Sequence, residues 1–404
     1  MEYFEDTSSN YYKALRNKSK RQKIRIEILT TEEHTVGEIE PHRNQITGTI
    51  SVNMQQGIRR TCDITIADKF SLYIPTSNSP FWYDKKFRIL IGIQFNNDTF
   101  WFSQGVFVVK DVSCDGRSMT ISGVDKYGIL TDEINSGMCM YKYQILAKNG
   151  ATVGSVIRDT LMLDKGNNQP LDPIEPHIDD CLEKMAIYDD IVVDEGGCIG
   201  DILSTISTMY NCDIFYDRFG VLNVVRPFTY NRPEWYKYLA PSLRLDKSEI
   251  CEDDLNVSFN FDGCNIVTVT TDNTNGKIYS YTAKNENPNS PVNINSIGYR
   301  GYNGDEGNGV VYIPLGDTNI VDGYTKCKDY AEFLLTKTTA MNTQISLEIS
   351  PTPHLDVDQI ISITNKYFDY DNQGFLVQSI DIPLSGENYS VGLSNIMYLP
   401  LDVY

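Results

Sequence analysis

The chain has 404 residues, 41 % of them hydrophobic, and its 54 acidic against 35 basic side chains give a formal net charge of −19. That length exceeds one ordinary domain and predicts two or three cores, while the acidic balance argues against a nucleic-acid clamp, whose phosphate binding needs clustered Lys and Arg. No stretch reaches the roughly 20 apolar residues of a membrane span, and the opening Met1-Glu2-Tyr3-Phe4 lacks the basic-then-apolar order of a signal sequence, so assembly in a cytoplasm and no membrane insertion are expected.

In chain order, residues 16–23 come first as a basic tract of five bases and no acid. From Ile24 to Gly123 the hydrophobic period is two. Ile24, Ile26 and Ile28 share a face, then Cys62, Ile64 and Ile66, then Phe87, Ile89, Ile91, Ile93 and Phe95, which predicts amphipathic strands. Asn96-Asn97-Asp98 reads as a hairpin turn into Thr99–Phe102, and Cys114-Asp115-Gly116 as a turn between Gly105–Asp111 and Ser118–Gly123. At least six strands in about a hundred residues predict a barrel or sandwich.

The period then becomes helical at Val153, Val156, Ile157 and Leu161, and again at Ile199, Ile202, Leu203, Ile206, Met209 and Tyr210. Between these two helices lies an acidic stretch. Residues 164–201 hold eleven acids and two bases, a tract expected to be solvated or to attract the basic tract of its own or a neighbouring copy. Cys212–Tyr216 and Val221–Val225 read as a hairpin around Asp217-Arg218-Phe219-Gly220.

Strand patterning resumes at Leu255–Phe261, Asn265–Thr270 and Lys277–Ala283. The Asn-, Gly- and Pro-rich segment from Asn285 to Asn308 is expected to be a mobile or partner-ordered loop. A third helix should follow over Asp322–Thr339, packing on a barrel through Tyr324, Cys327, Ala331 and Leu334. Strands at Gln344–Ile349, Gln359–Ile363, Gly374–Ile382 and Ser390–Leu393 close the chain.

Chemical motifs are few. The nine cysteines show no CxxC or Cys/His ligand spacing and are expected to be reduced core thiols. The four histidines, His34, His42, His177 and His354, lie far apart in sequence. Asp179-Asp180 and Asp189-Asp190 are the pairs that an acid–base dyad or hard-cation site would use, but no calcium-loop pattern surrounds them and solvated loops are expected. Gly196-Gly197-Cys198-Ile199-Gly200 opens a helix as a phosphate cradle would, yet no Lys-Ser/Thr follows and Asp194-Glu195 would repel an anion. Phe81-Trp82-Tyr83 and Phe100-Trp101-Phe102 are candidate sugar-stacking patches, although alternation along a strand should bury at least half of the second. No catalytic, cofactor-binding or metal-binding residue is assigned.

The order of segments resembles the baseplate hub family of phage tails, related to the tube-like half of type VI secretion spike proteins. The resemblance rests on Lys23–Leu29, on Gly48–Ala67 with Gln56-Gly57-Ile58-Arg59-Arg60, on Phe81-Trp82, on Gly105–Val109, and on Thr120-Ile121-Ser122-Gly123-Val124-Asp125-Lys126. It continues through Phe215-Tyr216-Asp217-Arg218-Phe219-Gly220, Asn289-Ser290-Pro291, Ile297-Gly298-Tyr299-Arg300, Tyr330–Leu335, His354-Leu355-Asp356-Val357-Asp358 and Gln378–Leu384. It implies a mainly β fold of two tail-tube-like β-barrels plus a smaller α/β module. The implied divisions are an N-terminal arm (1–22), a first barrel (23–137), an α/β insertion (138–250) and a second barrel with packed helix and long loop (251–404).

The resemblance further implies a non-enzymatic homotrimer, pseudo-sixfold, joining a hexameric tail tube or distal tail protein to a trimeric spike or tip in the virion tail baseplate. The tape-measure protein would occupy its lumen, and DNA would pass without specific binding. The chain ends soon after its last strand, so no fused cell-wall hydrolase is expected. Two other readings stand beside this one: a receptor- or carbohydrate-binding tail protein using the aromatic and Asn-rich loops, and a hydrolase using the paired aspartates.

Overall fold

A computed structural model describes residues 9–17, 21–39, 46–54, 57–67, 79–82, 85–115, 117–131, 133–134, 150–164, 169–187, 190–192, 197–226, 243–245, 255–259, 264–271, 278–288, 290, 292–301, 310–313, 323–340 and 343–395. A short helix, α1 (Ser9–Leu15), precedes seven strands: β1 (Arg21–Leu29), β2 (Thr35–Ile39), β3 (Ile46–Asn53), β4 (Arg60–Ala67), β5 (Lys86–Phe95), β6 (Asp98–Asp115) and β7 (Ser118–Asp125). The middle of the chain supplies α2 (Tyr127–Leu130), α3 (Val153–Leu161), β8 (His177–Ile178), α4 (Asp180–Glu183), α5 (Gly200–Tyr210), β9 (Asp213–Tyr216) and β10 (Leu222–Val225). The last part contains β11 (Leu243–Leu245), β12 (Asn256–Phe259), β13 (Ile266–Thr271), β14 (Ser280–Lys284), α6 (Ile294–Ile297), β15 (Val310–Ile313) and α7 (Gly323–Ala340). It closes with β16 (Thr343–Ile349), β17 (Ile360–Asn365), β18 (Tyr370–Pro383) and β19 (Tyr389–Asn395).

The architecture is mainly β with a helical middle, as the sequence predicts. Its largest feature is a 13-stranded sheet ordered β12-β16-β19-β18-β3-β4-β7-β6-β5-β1-β2, with β17 on β18 and β11 on β17. Strands from the two ends of the chain meet where β18 pairs antiparallel with β3, Ser379 opposite Asn53 through Pro383 opposite Thr49. The length of β18 explains how. It offers one stretch to β17, an overlapping stretch to β19 and its last residues to β3. A single apolar core accordingly runs from Ile24 and Ile26 through Ile64 and Phe107 to Phe375 and Leu393. Among the described residues the ladders leave β2 and β12 at the two ends of the path and close no barrel.

Period two is visible in β1, β3 and β4, whose alternate residues are buried. β5 departs from the amphipathic reading, since Lys86, Arg88 and Leu90 are buried as completely as Phe87, Ile89 and Ile91. β6 and β7 have the same character: Phe107 and Val109 face the main core, whereas Val108 and Val124 belong to a second core. A strand covered on both faces is expected to lose simple polar alternation. The two stretches read as separate strands at Thr99–Phe102 and Gly105–Asp111 are one 18-residue strand, β6. Gly48 in β3 is required by close approach. It sits at φ +133°, and a Cβ there would lie 2.0 Å from the carbonyl oxygen of Asp63.

The second core is the middle module. Val153, Val156, Ile157 and Leu161 of α3 meet Ile202, Leu203, Ile206 and Tyr210 of α5 over the three-stranded sheet β8-β10-β9, the faces that helical spacing marks in the sequence. Thr152 caps α3 by accepting from the Ser155 amide at 3.2 Å, while the Ser155 hydroxyl accepts from the Thr152 amide at 3.1 Å.

A third, smaller core lies between α7 and the sheet β14-β13-β15. Here the packing expectation needs correction. α7 buries Cys327, Ala331 and Leu334 as predicted, but against this small sheet and not against the main one, and Leu335 joins them. Tyr324 is 49 % exposed; it lies in the first turn, and its ring meets that of Tyr281 at 5.5 Å in a T-shaped contact. α1 seats Tyr11 and Ala14 on Ile93, Phe100 and Phe102, so residues 9–15 of the N-terminal segment are part of the packed body.

Candidate functional site: a buried ionic junction

Four sequence motifs separated by up to 299 residues meet inside the molecule. They are the Arg59-Arg60 pair entering β4, Asp125-Lys126 at the end of β7, the Asp217–Gly220 turn between β9 and β10, and the loop His354–Asp358 before β17. Arg60 is the hub. Its amide donates to Asp125 Oδ2 at 3.0 Å, its Nη1 donates to the carbonyl of Gln104 at 3.0 Å, and its Nη2 reaches both oxygens of Asp356 at 2.6 Å. Arg59 donates from Nη1 to Asp358 at 2.6 Å and lies 3.9 Å from Asp213, with its guanidinium 3.4 Å above the centre of the Phe215 ring.

The turn after β9 is a wedge rather than a solvent-facing loop. Asp217 shapes it by accepting from the amides of Phe219 and Val221, and Gly220 adopts φ +80° to complete it. Arg218 at its tip is thereby driven inward. Its carbonyl accepts from Ser103 Oγ at 2.7 Å, its Nη1 donates to the carbonyl of His354 at 3.1 Å, and its Nε stands 3.9 Å from Asp356. Gln104 adds a donor to the carbonyl of Pro353 at 2.9 Å, and the His354 ring shares a 2.7 Å hydrogen bond with the Tyr11 hydroxyl of α1. The middle module, the N-terminal strands and the C-terminal strands are therefore joined by the same group of side chains.

Three arginines here face four carboxylates, Asp125, Asp213, Asp356 and Asp358, and all three arginines are buried. Burial raises the Asp356 carboxyl, but Arg60 and Arg218 overcome it and hold the group below the usual carboxylate value. Asp125 is the opposite case. Burial pushes it up to about 7, against the Arg60 and Tyr127 amides that favour its ionised form. Such an arrangement adds little net stability compared with an apolar core, but removing one partner strands a charge and costs about 3–5 kcal/mol.

A second buried cluster adjoins it. Lys126 pairs with Glu33 at 2.5 Å and Asp172 at 2.7 Å, Lys86 pairs with the same Glu33 at 3.2 Å, and the Tyr216 hydroxyl donates to Asp172 at 2.8 Å. Burial and the neighbouring Lys126 lower the pKa of Lys86. This cluster ties the β1–β2 turn to the middle module. The chemistry of both clusters is that of holding segments in register.

The other candidates read from sequence are dispersed. Asp179 precedes α4 and accepts from the Arg226 amide at 2.9 Å, Asp180 begins that helix, and Asp189 lies outside the described residues. Among the described residues no group of three or more His, Cys, Asp or Glu is placed to hold a metal ion. The amide of Cys198 is taken by Asp201 at 3.0 Å, which makes the glycine-rich segment a helix start; Gly196 lies outside the described residues. Phe81, Phe100 and Phe102 are core, and Trp101 is half-covered by Arg25, 4.5 Å from its ring centre. Of the described cysteines, Cys62, Cys212, Cys264 and Cys327 are buried thiols, whereas Cys114 and Cys181 are exposed, contrary to the core expectation. His42 also falls outside the described residues.

The four junction motifs lie far apart along the chain, and no spacing in the sequence shows that they meet. The signal was local: Asp356 and Asp358 alternate with Leu355 and Val357, and two adjacent arginines stand at the mouth of an apolar strand. Charges placed at that spacing among core residues require buried partners.

No family model matches the sequence, and no curated protein matches it. Solved structures do. The chain is similar to the 43 kDa tail protein of prophage MuSo2 from Shewanella oneidensis, with 12 % identity and a TM-score of 0.55 over 94 % of this chain and 100 % of that one. The tail protein from Neisseria meningitidis MC58 gives 12 % identity and a TM-score of 0.58 over 95 % of this chain and 99 % of that one. A chain of the Francisella PdpA–VgrG complex gives 12 % identity and a TM-score of 0.52, covering 96 % of this chain and 54 % of that one. Over nearly its whole length the chain has the fold of phage tail proteins.

Proposed function

We propose that this chain is the structural hub of a phage or phage-like tail baseplate, a homotrimer joining the hexameric tail tube to a trimeric spike or tip. The observation that carries the reading is the end-to-end correspondence of fold with two tail proteins of matching extent. The division into an arm (1–22), two tube-like halves (23–137 and 251–404) and an insertion (138–250) belongs to the same proposal. Two strand-rich halves per subunit would let three subunits present six comparable units to a sixfold tube. The β3–β18 pairing and the ionic junction supply what such an adapter needs, a fixed relation between the halves.

The tape-measure protein would fill the lumen, and DNA would later pass an acidic wall without sticking. The role is structural and not enzymatic, and the place of action is the virion tail baseplate after assembly in a host cytoplasm. The occurrence of a similar fold within the PdpA–VgrG complex supports a hub whose work is binding other proteins. Sedimentation of the purified chain alone, with tube protein, and with tube and spike proteins tests the proposal. A mass of three chains in the assembled sample is expected; a chain that stays monomeric with both partners present overturns it.

A further inference from the structure

The second buried cluster brings an amine, two carboxylates and a hydroxyl together out of contact with solvent. Lys126 follows β7, and its Nζ lies 2.5 Å from Glu33 Oε1 and 2.9 and 2.7 Å from Asp172 Oδ1 and Oδ2. Both oxygens of Asp172 also accept from neutral donors, Oδ1 from the Ile174 amide at 3.1 Å and Oδ2 from the Tyr216 hydroxyl at 2.8 Å. The Asp172 amide donates to the Leu161 carbonyl at 3.0 Å, which fixes the residue to the end of α3. Lys86 reaches Glu33 Oε1 and the Thr31 carbonyl, each at 3.2 Å, and so orients the second carboxylate. Lys126, Asp172 and Tyr216 are all buried.

Other ion pairs of the fold differ on the points that matter for reaction. Lys110 with Glu133 and Lys328 with Glu332 pair where water competes, since both lysines are exposed. The buried arginines of the first junction carry a guanidinium that keeps its proton and is no nucleophile. A lysine becomes a nucleophile once its ammonium gives up a proton, and burial favours that step, as the lowered pKa of the adjoining Lys86 shows. A carboxyl group becomes an acceptor when it is neutral and when donors await the charge that develops on its oxygen. Holding the two groups in contact turns their meeting into a step within one molecule.

We propose that Lys126 and Asp172 form an amide bond within the folded chain, with Glu33 as the proton carrier. The ammonium proton first passes to Asp172 Oδ2, leaving a neutral amine and a neutral carboxyl. The Nζ lone pair then adds to Cγ, and the carbonyl electron pair moves onto Oδ1, where the Ile174 amide meets it. Glu33 takes a proton from the now cationic Nζ and delivers it to Oδ2. The Cγ–Oδ2 bond breaks with its electron pair, the carbonyl re-forms and one water leaves; Glu33 ends as it began, and no other reactant is needed. The bond joins residues 46 apart in sequence and ties the middle module to the end of β7. It needs one subunit only, so it stands or falls apart from the hub reading.

Mass spectrometry of the purified full-length chain, denatured after days at room temperature, is the test. The wild type should be one water lighter than its sequence, and tryptic digestion should yield a branched peptide joining Lys126 to Asp172, with no cleavage after Lys126. Glu33→Gln keeps the size of the side chain but cannot carry the proton, and it should show the full sequence mass, as should Lys126→Arg and Asp172→Ala. A wild-type chain at full sequence mass overturns the proposal, whatever the variants do and whether or not they fold. A water loss that persists in Lys126→Arg, or that maps to other residues, overturns it equally, and a bond that still forms in Glu33→Gln overturns the assigned proton carrier.

Discussion

The junction at Arg60 and the loop held by Asn265 solve one problem, fixing irregular backbone, in opposite ways. The junction uses ionisable groups, with the buried Arg59, Arg60 and Arg218 facing Asp125, Asp213, Asp356 and Asp358. The loop at 285–301 uses neutral amides: Asn265 and Asn293 meet carbonyls and amides of their own neighbourhood, and Asn285 meets the Ser290 hydroxyl and the Asn287 amide. Charges reach across nearly 300 residues of chain and bind whole modules, whereas asparagines organise what lies within about 35. Loss of one member should therefore be severe and global at the junction, and moderate and local in the loop.

The largest effect should come from Arg60→Ala, which leaves Asp356 with the more distant Arg218 and empties the carbonyl contact to Gln104. A loss of about 3–5 kcal/mol is expected in the denaturant midpoint, with both halves affected together. Next is Leu335→Ala, which opens a cavity under α7. It should cost about 2–4 kcal/mol, whereas Tyr324→Ala should stay within about 0.5 kcal/mol because that residue is half exposed. Asn265→Ala should cost about 1–3 kcal/mol, read as faster hydrogen exchange confined to the 285–301 segment.

Asp125 sharpens the contrast through pH. Its folded pKa, about 7, lies above the roughly 3.9 of an unfolded aspartate, so the fold favours the protonated form. The stability this contributes is complete below the unfolded value and lost as pH rises through about 7. Asp125→Asn removes the titration. Relative to wild type, the variant should gain by about 1.4 kcal/mol per pH unit between pH 5 and 7 and no further above that, measured by urea melts at each pH.

Much of the fold was legible because it follows period. The faces of α3 and α5, the β9–β10 hairpin and the two-residue turn at Asn96-Asn97, with Asn96 at φ 55°, all follow from residue spacing and turn chemistry. What period cannot reveal is what covers the second face. Lys86, Arg88 and Leu90 sit where a one-sided strand would meet solvent, and only the tertiary arrangement encloses them. Tyr324 fits the helical stripe but lies beyond the edge of what the stripe packs on. The Asn-rich segment has the composition of a mobile loop, yet the same amides that compete with regular structure can satisfy one irregular path when several are buried together. The junction was invisible for a further reason: its arginines and aspartates pair across the fold and not along the sequence.

Arg60 and Asp356 couple the N-terminal and C-terminal strands into one unit. A double-mutant cycle of Arg60→Met and Asp356→Leu, read by equilibrium unfolding, measures it directly. Each single change should be strongly destabilising, and the double variant should recover part of the loss, a coupling of about 2–4 kcal/mol, the remainder being set by Arg218, which loses Asp356 in the double variant as well. Additive effects, with no recovery in the double variant, would contradict it.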